Sequence, residues 1–196
     1  MKTEAETIEN ECAECIVPLI KLRLPDTEPA DLLLSADDSP ILEPLIGDLL
    51  IAYAFDLPSR YTLVQGRHLA DLQLSVTELR GLATDNLRRR LPDIMRHQYL
   101  HLPMFVFTAG GNLESSLLLL DDLWESQLSL VPGELVASVA ARDCIAFTGS
   151  ESPEGIAELR ASIDRAQAGG DHVLTRHLFI RRDSSWHVFN TNDRNA

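Results

Sequence analysis

A chain of 196 residues with 45% hydrophobic content has the material for one substantial domain or two small packed lobes, which excludes wholesale disorder. Its formal charge of −13, from 30 Asp plus Glu against 17 Lys plus Arg, argues against nucleic acid or an anionic membrane as partner. No apolar run is long enough to cross a bilayer, no secretory pattern opens the chain, and 3 cysteines cannot all pair, so a cytoplasmic protein without a disulfide framework is expected.

Residues 1–15 carry Glu4, Glu6, Glu9, Glu11 and Glu14 against Lys2 and read as a flexible acidic tail, leaving 16–196 for a single α+β domain. Ile16–Leu24 begins as a strand, and Pro18 points to an edge position. The Pro, Asp and Ser rich segment 25–44 reads as an irregular connection with one short strand at Asp31–Ser35. Leu49–Phe55 and Arg60–Gln65 flank the turn residues Asp56-Leu57-Pro58-Ser59, a hairpin pattern. Ser75 and Glu78 have the spacing of a capping box, and Leu79, Leu82, Ala83, Leu87 and Leu91 give the helix that follows an apolar face. Arg88, Arg89 and Arg90 complement its C-terminal dipole, and Pro92 ends it.

Met104–Thr108 predicts a short buried strand leading to Gly110-Gly111 and a helix capped by Asn112. Leu113, Leu117, Leu120 and Trp124 recur on one face of that helix, and Leu118, Leu119 and Leu123 widen the apolar surface beyond one stripe, so it should be covered on more than one side. Glu134–Ala140 and Cys144–Thr148 predict paired strands around Ala141-Arg142-Asp143, followed by a helix from Pro153 to Ala166 capped by Ser152. Gly169-Gly170 breaks it, and Thr175–Arg181 with Ser185–Phe189 predict a final hairpin around Asp183-Ser184. This order of elements predicts an α+β fold, a mixed or antiparallel sheet packed against helices. Asp48–Ala52 and Glu134–Ser138 open two β-β-α passages alike, which suggests two related lobes over 40–108 and 109–190.

Three motifs carry candidate chemistry. Cys12 and Cys15 have CxxC spacing, but further zinc ligands at a familiar distance are missing and the acidic surroundings would raise the thiol pKa values. Asp93, His97 and His101 recur every fourth residue and on a helix would share a face able to hold a divalent metal. No HExxH glutamate accompanies them and Pro92 and Pro103 bracket the segment, so surface polar residues are the preferred reading. Gly110-Gly111-Asn112 sits where a phosphate could meet free amides, but lacks the phosphate-binding glycine patterns, and Glu114 would oppose an anion. A tight turn into a helix explains it better, and neither a catalytic set, nor a metal, nor a cofactor is expected.

Acids fall in long stretches without Lys or Arg: Asp26, Glu28, Asp31, Asp37, Asp38, Glu43, Asp48 and Asp56 within 24–59, and Glu114, Asp121, Asp122, Glu125 and Glu134 within 97–141. Asp37, Asp38, Asp121, Asp122 and Glu125 are the candidate partner-binding residues.

Gly47–Asp56, Glu78–Leu91, Gly111–Trp124 and Val139–Phe147, with Arg142-Asp143 inside the last, together resemble the YtpQ-like bacterial proteins over residues 40–189. The resemblance implies a shared α+β fold; the function of that family is unknown, so no reaction, cofactor or catalytic residue comes with it. The expectation is a non-catalytic cytoplasmic protein that binds a protein with a basic surface, in the manner of an immunity-type inhibitor of a toxin domain. The alternatives are a small metal-assisted hydrolase using Asp93, His97 and His101, and a housekeeping scaffold.

Overall fold

An apolar run with no polar face, such as Leu49–Phe55, needs cover on both sides, and the fold provides it. The computed structural model describes residues 11–23, 35–170 and 172–190. The chain enters through a 3₁₀ turn at Ala13–Cys15 and strand β1 (Ile16–Leu22). After β2 (Leu42–Ile46), β3 (Leu49–Asp56) runs antiparallel to both, and β4 (Tyr61–Leu63) pairs with the far end of β3. Pro18 lies on β1, an edge strand, opposite Tyr53, as its missing N–H requires. Gly47, with a positive φ of 57°, makes the two-residue turn from Ile46 to Leu49.

A short helix α1 (Gly66–Asp71) precedes α2 (Val76–Arg90). The Ser75–Glu78 capping box forms as its spacing dictates, and α2 buries Leu79, Ala83, Asn86 and Leu87. Asn86 Nδ2 donates to the carbonyls of Ala13 and Ile16, both at 2.8 Å, which pins α2 to the 3₁₀ turn and to β1.

The second sheet is antiparallel throughout. It takes in β5 (Met95–Gln98), β6 (Met104–Thr108), β7 (Leu135–Ala141), β8 (Cys144–Gly149), β9 (Leu178–Arg182) and β10 (Ser185–Val188), in the order β10-β9-β7-β8-β6-β5. Between β6 and β7 lie a 3₁₀ helix (Glu114–Leu119) and α3 (Asp121–Glu125); after β8 comes α4 (Pro153–Gly169). Every residue of β7 is buried, because alternate side chains serve two cores. Val136 and Ala140 pack with Ile156, Leu159 and Ile163 of α4, whereas Leu135, Ala137 and Val139 join a core that runs on to Ile16 and Phe55 of the first sheet. Trp124 stands in that shared core, edge-on to Phe107, Phe147 and Trp186 at centroid distances of 5.4, 5.5 and 4.9 Å.

The α+β class follows the sequence expectation; several details depart from it. Leu42–Ile46 is a strand, not part of an irregular connection, because β3 has an edge to be covered and pairing there outweighs the breaker Pro44. Met95–Gln98 is likewise a strand. Since β5 and β6 belong to the second sheet and β1 to the first, lobes divided as 40–108 and 109–190 are not structural units. Most of the expected acidic tail, residues 1–10, and Asp31–Leu34 of the expected short strand lie outside the described residues, and Ala13–Cys15 is already structured. No helix among the described residues is long and apolar enough to cross a membrane.

Candidate functional site

The stretch from Gly110 to Trp124 is not the single capped helix that its leucine period predicts. It is a 3₁₀ helix and a short α-helix, broken at Leu120 (φ −95°, ψ 86°), and Asn112 caps neither. Packing on two sides overrides the period: the Ser116 hydroxyl donates to the Pro18 carbonyl at 2.7 Å, and Trp124 Nε1 donates to the Leu117 carbonyl at 2.8 Å. The Gly-Gly turn, with φ of 103° and 83°, does gather a row of amides. They are filled from within. Glu114, 2% exposed, accepts hydrogen bonds from Ala109 N at 2.8 Å, Gly111 N at 2.5 Å and Leu113 N at 3.1 Å. The residue that sequence reading sets against an anion takes the anion's place.

Beside this loop is a cleft of about 310 Å³ whose polar lining comprises Asp56, Tyr61, Arg90 and Asn112. Arg142, from the β7–β8 turn, reaches its rim, where Nη2 is 3.4 Å from Asn112 Oδ1 and Nε is buried with no hydrogen bond among the described residues. Arg90 Nε lies 3.4 Å from Asp56 Oδ2. Burial, then the nearby Asp56 charge, pushes the Tyr61 phenol up against the opposing pull of Arg142 and Arg90, so Tyr61 is a neutral hydrogen-bonding group at physiological pH. Charges nearly cancel here, and the cleft suits recognition of a polar group.

Three of the five candidate acids are held by the protein's own arginines. Asp38 pairs with Arg67 at 3.0 Å, Asp122 pairs with Arg88, and Asp121 Oδ1 lies 3.1 Å from Arg181 Nη2. Asp37 and Glu125 are exposed, with no ion pair among the described residues. Asp37 and Asp38 sit beside the start of α1, where Asp37 O accepts from Arg67 N at 3.0 Å; the other three lie on α3. Asp26, Glu28 and Asp31 lie outside the described residues.

Asp93, His97 and His101 do not share a helix face, since the segment is a strand and a turn. His97 Nε2 is 2.9 Å from Thr108 Oγ1 on the neighbouring strand. Among the described residues no group of three or more His, Cys, Asp or Glu side chains is placed to hold a metal. Cys12 and Cys15 Sγ lie 2.6 Å apart as free thiols, and the hydrogen bond between them, followed by burial, pushes the Cys12 thiol up.

A second cleft, of about 240 Å³, opens between the sheets against Leu45 and Ile46 of β2, Arg80 of α2, Leu118, Asp121 and Trp186. Arg80 is already engaged: Nη1 donates to Glu43 Oε1 at 2.5 Å, while Tyr53 donates its hydroxyl to Glu43 Oε2 at 2.7 Å, and burial followed by that bond drives the Tyr53 phenol far up. Arg181 differs. Its side chain is 3% exposed and its Nη1 and Nη2 make no hydrogen bond among the described residues; it lies over the Trp186 ring, 5.6 Å from the centroid, with Asp121 beside it. Arg181, followed at once by Arg182 and a turn, looks solvated in the sequence; the β9–β10 register, which sets it opposite Trp186, turns it inward.

No family model matches the chain, and no curated protein or solved structure matches it.

Proposed function

We propose that this is a non-catalytic, cytoplasmic protein that acts by binding a protein with a basic surface, an immunity-type inhibitor of a basic toxin domain being its specific form. Membership of the YtpQ-like family, on the motif residues quoted above, is part of the same proposal. The observation that carries it is the segment from α3 to the 3₁₀ turn at Leu128–Leu130. There exposed Glu125 is followed by Leu128 and Leu130, 49% and 38% exposed, so acid and apolar surface lie together as an interface needs. The charge ledger supports the sign of the partner: 17 basic residues can neutralise at most 17 of 30 acids, leaving the molecule a negative field that speeds encounter with a cation.

The test is isolation of partners from the native cell by the tagged chain, followed by affinity measurement across salt concentrations for wild type, Glu125→Lys and Leu128→Ala. A basic partner lost by these variants and weakened by salt supports the reading. A stoichiometric partner whose affinity ignores both substitutions rejects this surface, and an acidic partner rejects the proposal.

A further inference from the structure

Burying a guanidinium costs several kcal/mol unless its N–H groups find acceptors, and native proteins seldom leave such groups bare. Arg181 is 3% exposed, yet among the described residues neither Nη1 nor Nη2 finds a hydrogen-bond acceptor. Asp121, its counter-charge, is 70% exposed and presents one oxygen at 3.1 Å that is not aligned with a guanidinium hydrogen. The indole Nε1 of Trp186 is also buried, with no acceptor among the described residues. Asp121 and Trp186, the two neighbours of the guanidinium, line the 240 Å³ cleft, and the guanidinium lies directly behind them, so a ligand that moves Asp121 aside meets it. Ser184 and Ser185 add hydroxyls at the rim, and Leu45, Ile46 and Leu118 make an apolar side.

We propose that the cleft binds a small carboxylic acid with a short apolar tail. The carboxylate lies on Arg181 in the two-pronged arrangement that a guanidinium fork favours, accepts a further bond from Trp186 Nε1, and displaces Asp121 toward water. The tail lies along Leu45, Ile46 and Leu118. Size agrees: at about 30 Å³ per water the cleft holds roughly eight waters, the bulk of a six-carbon acid. A phosphate would satisfy the donors but leave the apolar side wet. Arg80 takes no part, because Glu43 holds it.

With 2 tryptophans in the chain, the indole N–H region of a nitrogen-15 NMR spectrum is a two-signal readout, and Trp186→Phe identifies the one in the cleft. Hexanoate titrated into the full chain should shift the Trp186 signal saturably, while hexanol and inorganic phosphate at equal concentration should not. Asp121→Ala removes the competing carboxylate and should tighten hexanoate binding roughly tenfold, the scale of one charge-assisted hydrogen bond. Arg181→Met should abolish it; if that variant fails to fold, Asp121→Ala decides alone. A Trp186 signal that hexanoate leaves unmoved in both wild type and Asp121→Ala overturns the proposal. So does an equal response to hexanol or phosphate.

Discussion

Two charged side chains are buried close to the same wedge of chain, and they are treated in opposite ways. Glu114 accepts three backbone N–H groups and has spare capacity for little else. Arg181, equally hidden, leaves Nη1 and Nη2 without an acceptor among the described residues and leans on one exposed carboxylate. The Glu114 contacts are local, from residues within five positions of it, and so form whenever the loop does. Of the Arg181 neighbours, Trp186 faces it across the β9–β10 hairpin, but the one acid, Asp121, comes from α3, far off in the chain, and reaches it only when the fold is complete. A buried charge that is saturated locally holds a loop together; one left unsaturated against a cleft is available to something outside the chain.

Glu114 carries the larger expected effect. Replacement by Ala removes three hydrogen bonds to a carboxylate, each contributing on the order of 1 kcal/mol, and strands the buried Leu113 amide, so a loss of about 3 kcal/mol is expected from urea unfolding. Glu114→Gln keeps one acceptor oxygen but turns an NH2 toward donors, and a loss of about 2 kcal/mol is expected. Arg181→Met should behave differently. Exchanging a poorly paired buried ion for an apolar side chain of similar length is often neutral, so stability within about 1 kcal/mol of wild type is expected. A loss at Arg181→Met as large as at Glu114→Ala would make both charges structural and remove the contrast.

What could be read from the chain depended on how local the cause was. Ser75 with Glu78, the hairpins around residues 57–60 and 183–184, and Gly170 ending α4 in a left-handed cap were legible because a few neighbouring residues determine them. Leu42-Glu43-Pro44-Leu45-Ile46 was not, since its pairing with β3 is what makes it a strand. Met95–Gln98, wholly exposed and polar in pattern, becomes β5 only because β6 offers an edge. The leucines of 113–120 announced burial correctly and geometry wrongly: packing against β1 and β8 selects a 3₁₀ turn where the period suggests a continuous helix. Of the candidate partner residues, charge clustering could not foresee that Asp38, Asp121 and Asp122 meet Arg67, Arg181 and Arg88 from distant elements. Tyr61, Arg90 and Arg142 around one cleft, and Arg181 behind the other, left no spacing signal at all.

The smallest effect is the most discriminating about how a carboxylate holds backbone. Glu78 performs at the surface the task Glu114 performs inside: its Oε2 accepts from Ser75 N at 3.0 Å and from Ser75 Oγ at 2.6 Å, capping α2. Those two bonds, side chain first, hold the Glu78 carboxyl below its ordinary value of 4.5. A depressed folded-state pKa means that the contribution is present above the unfolded value and fades as pH falls through the folded one. Glu78→Gln should therefore be less stable than wild type near pH 7, with the gap closing below pH 4.5 as the wild-type side chain itself becomes neutral. Urea midpoints for the pair at several pH values measure this directly. A gap that persists undiminished in acid would mean that the charge contributes nothing at the cap, and that geometry alone separates the exposed carboxylate from its buried counterpart.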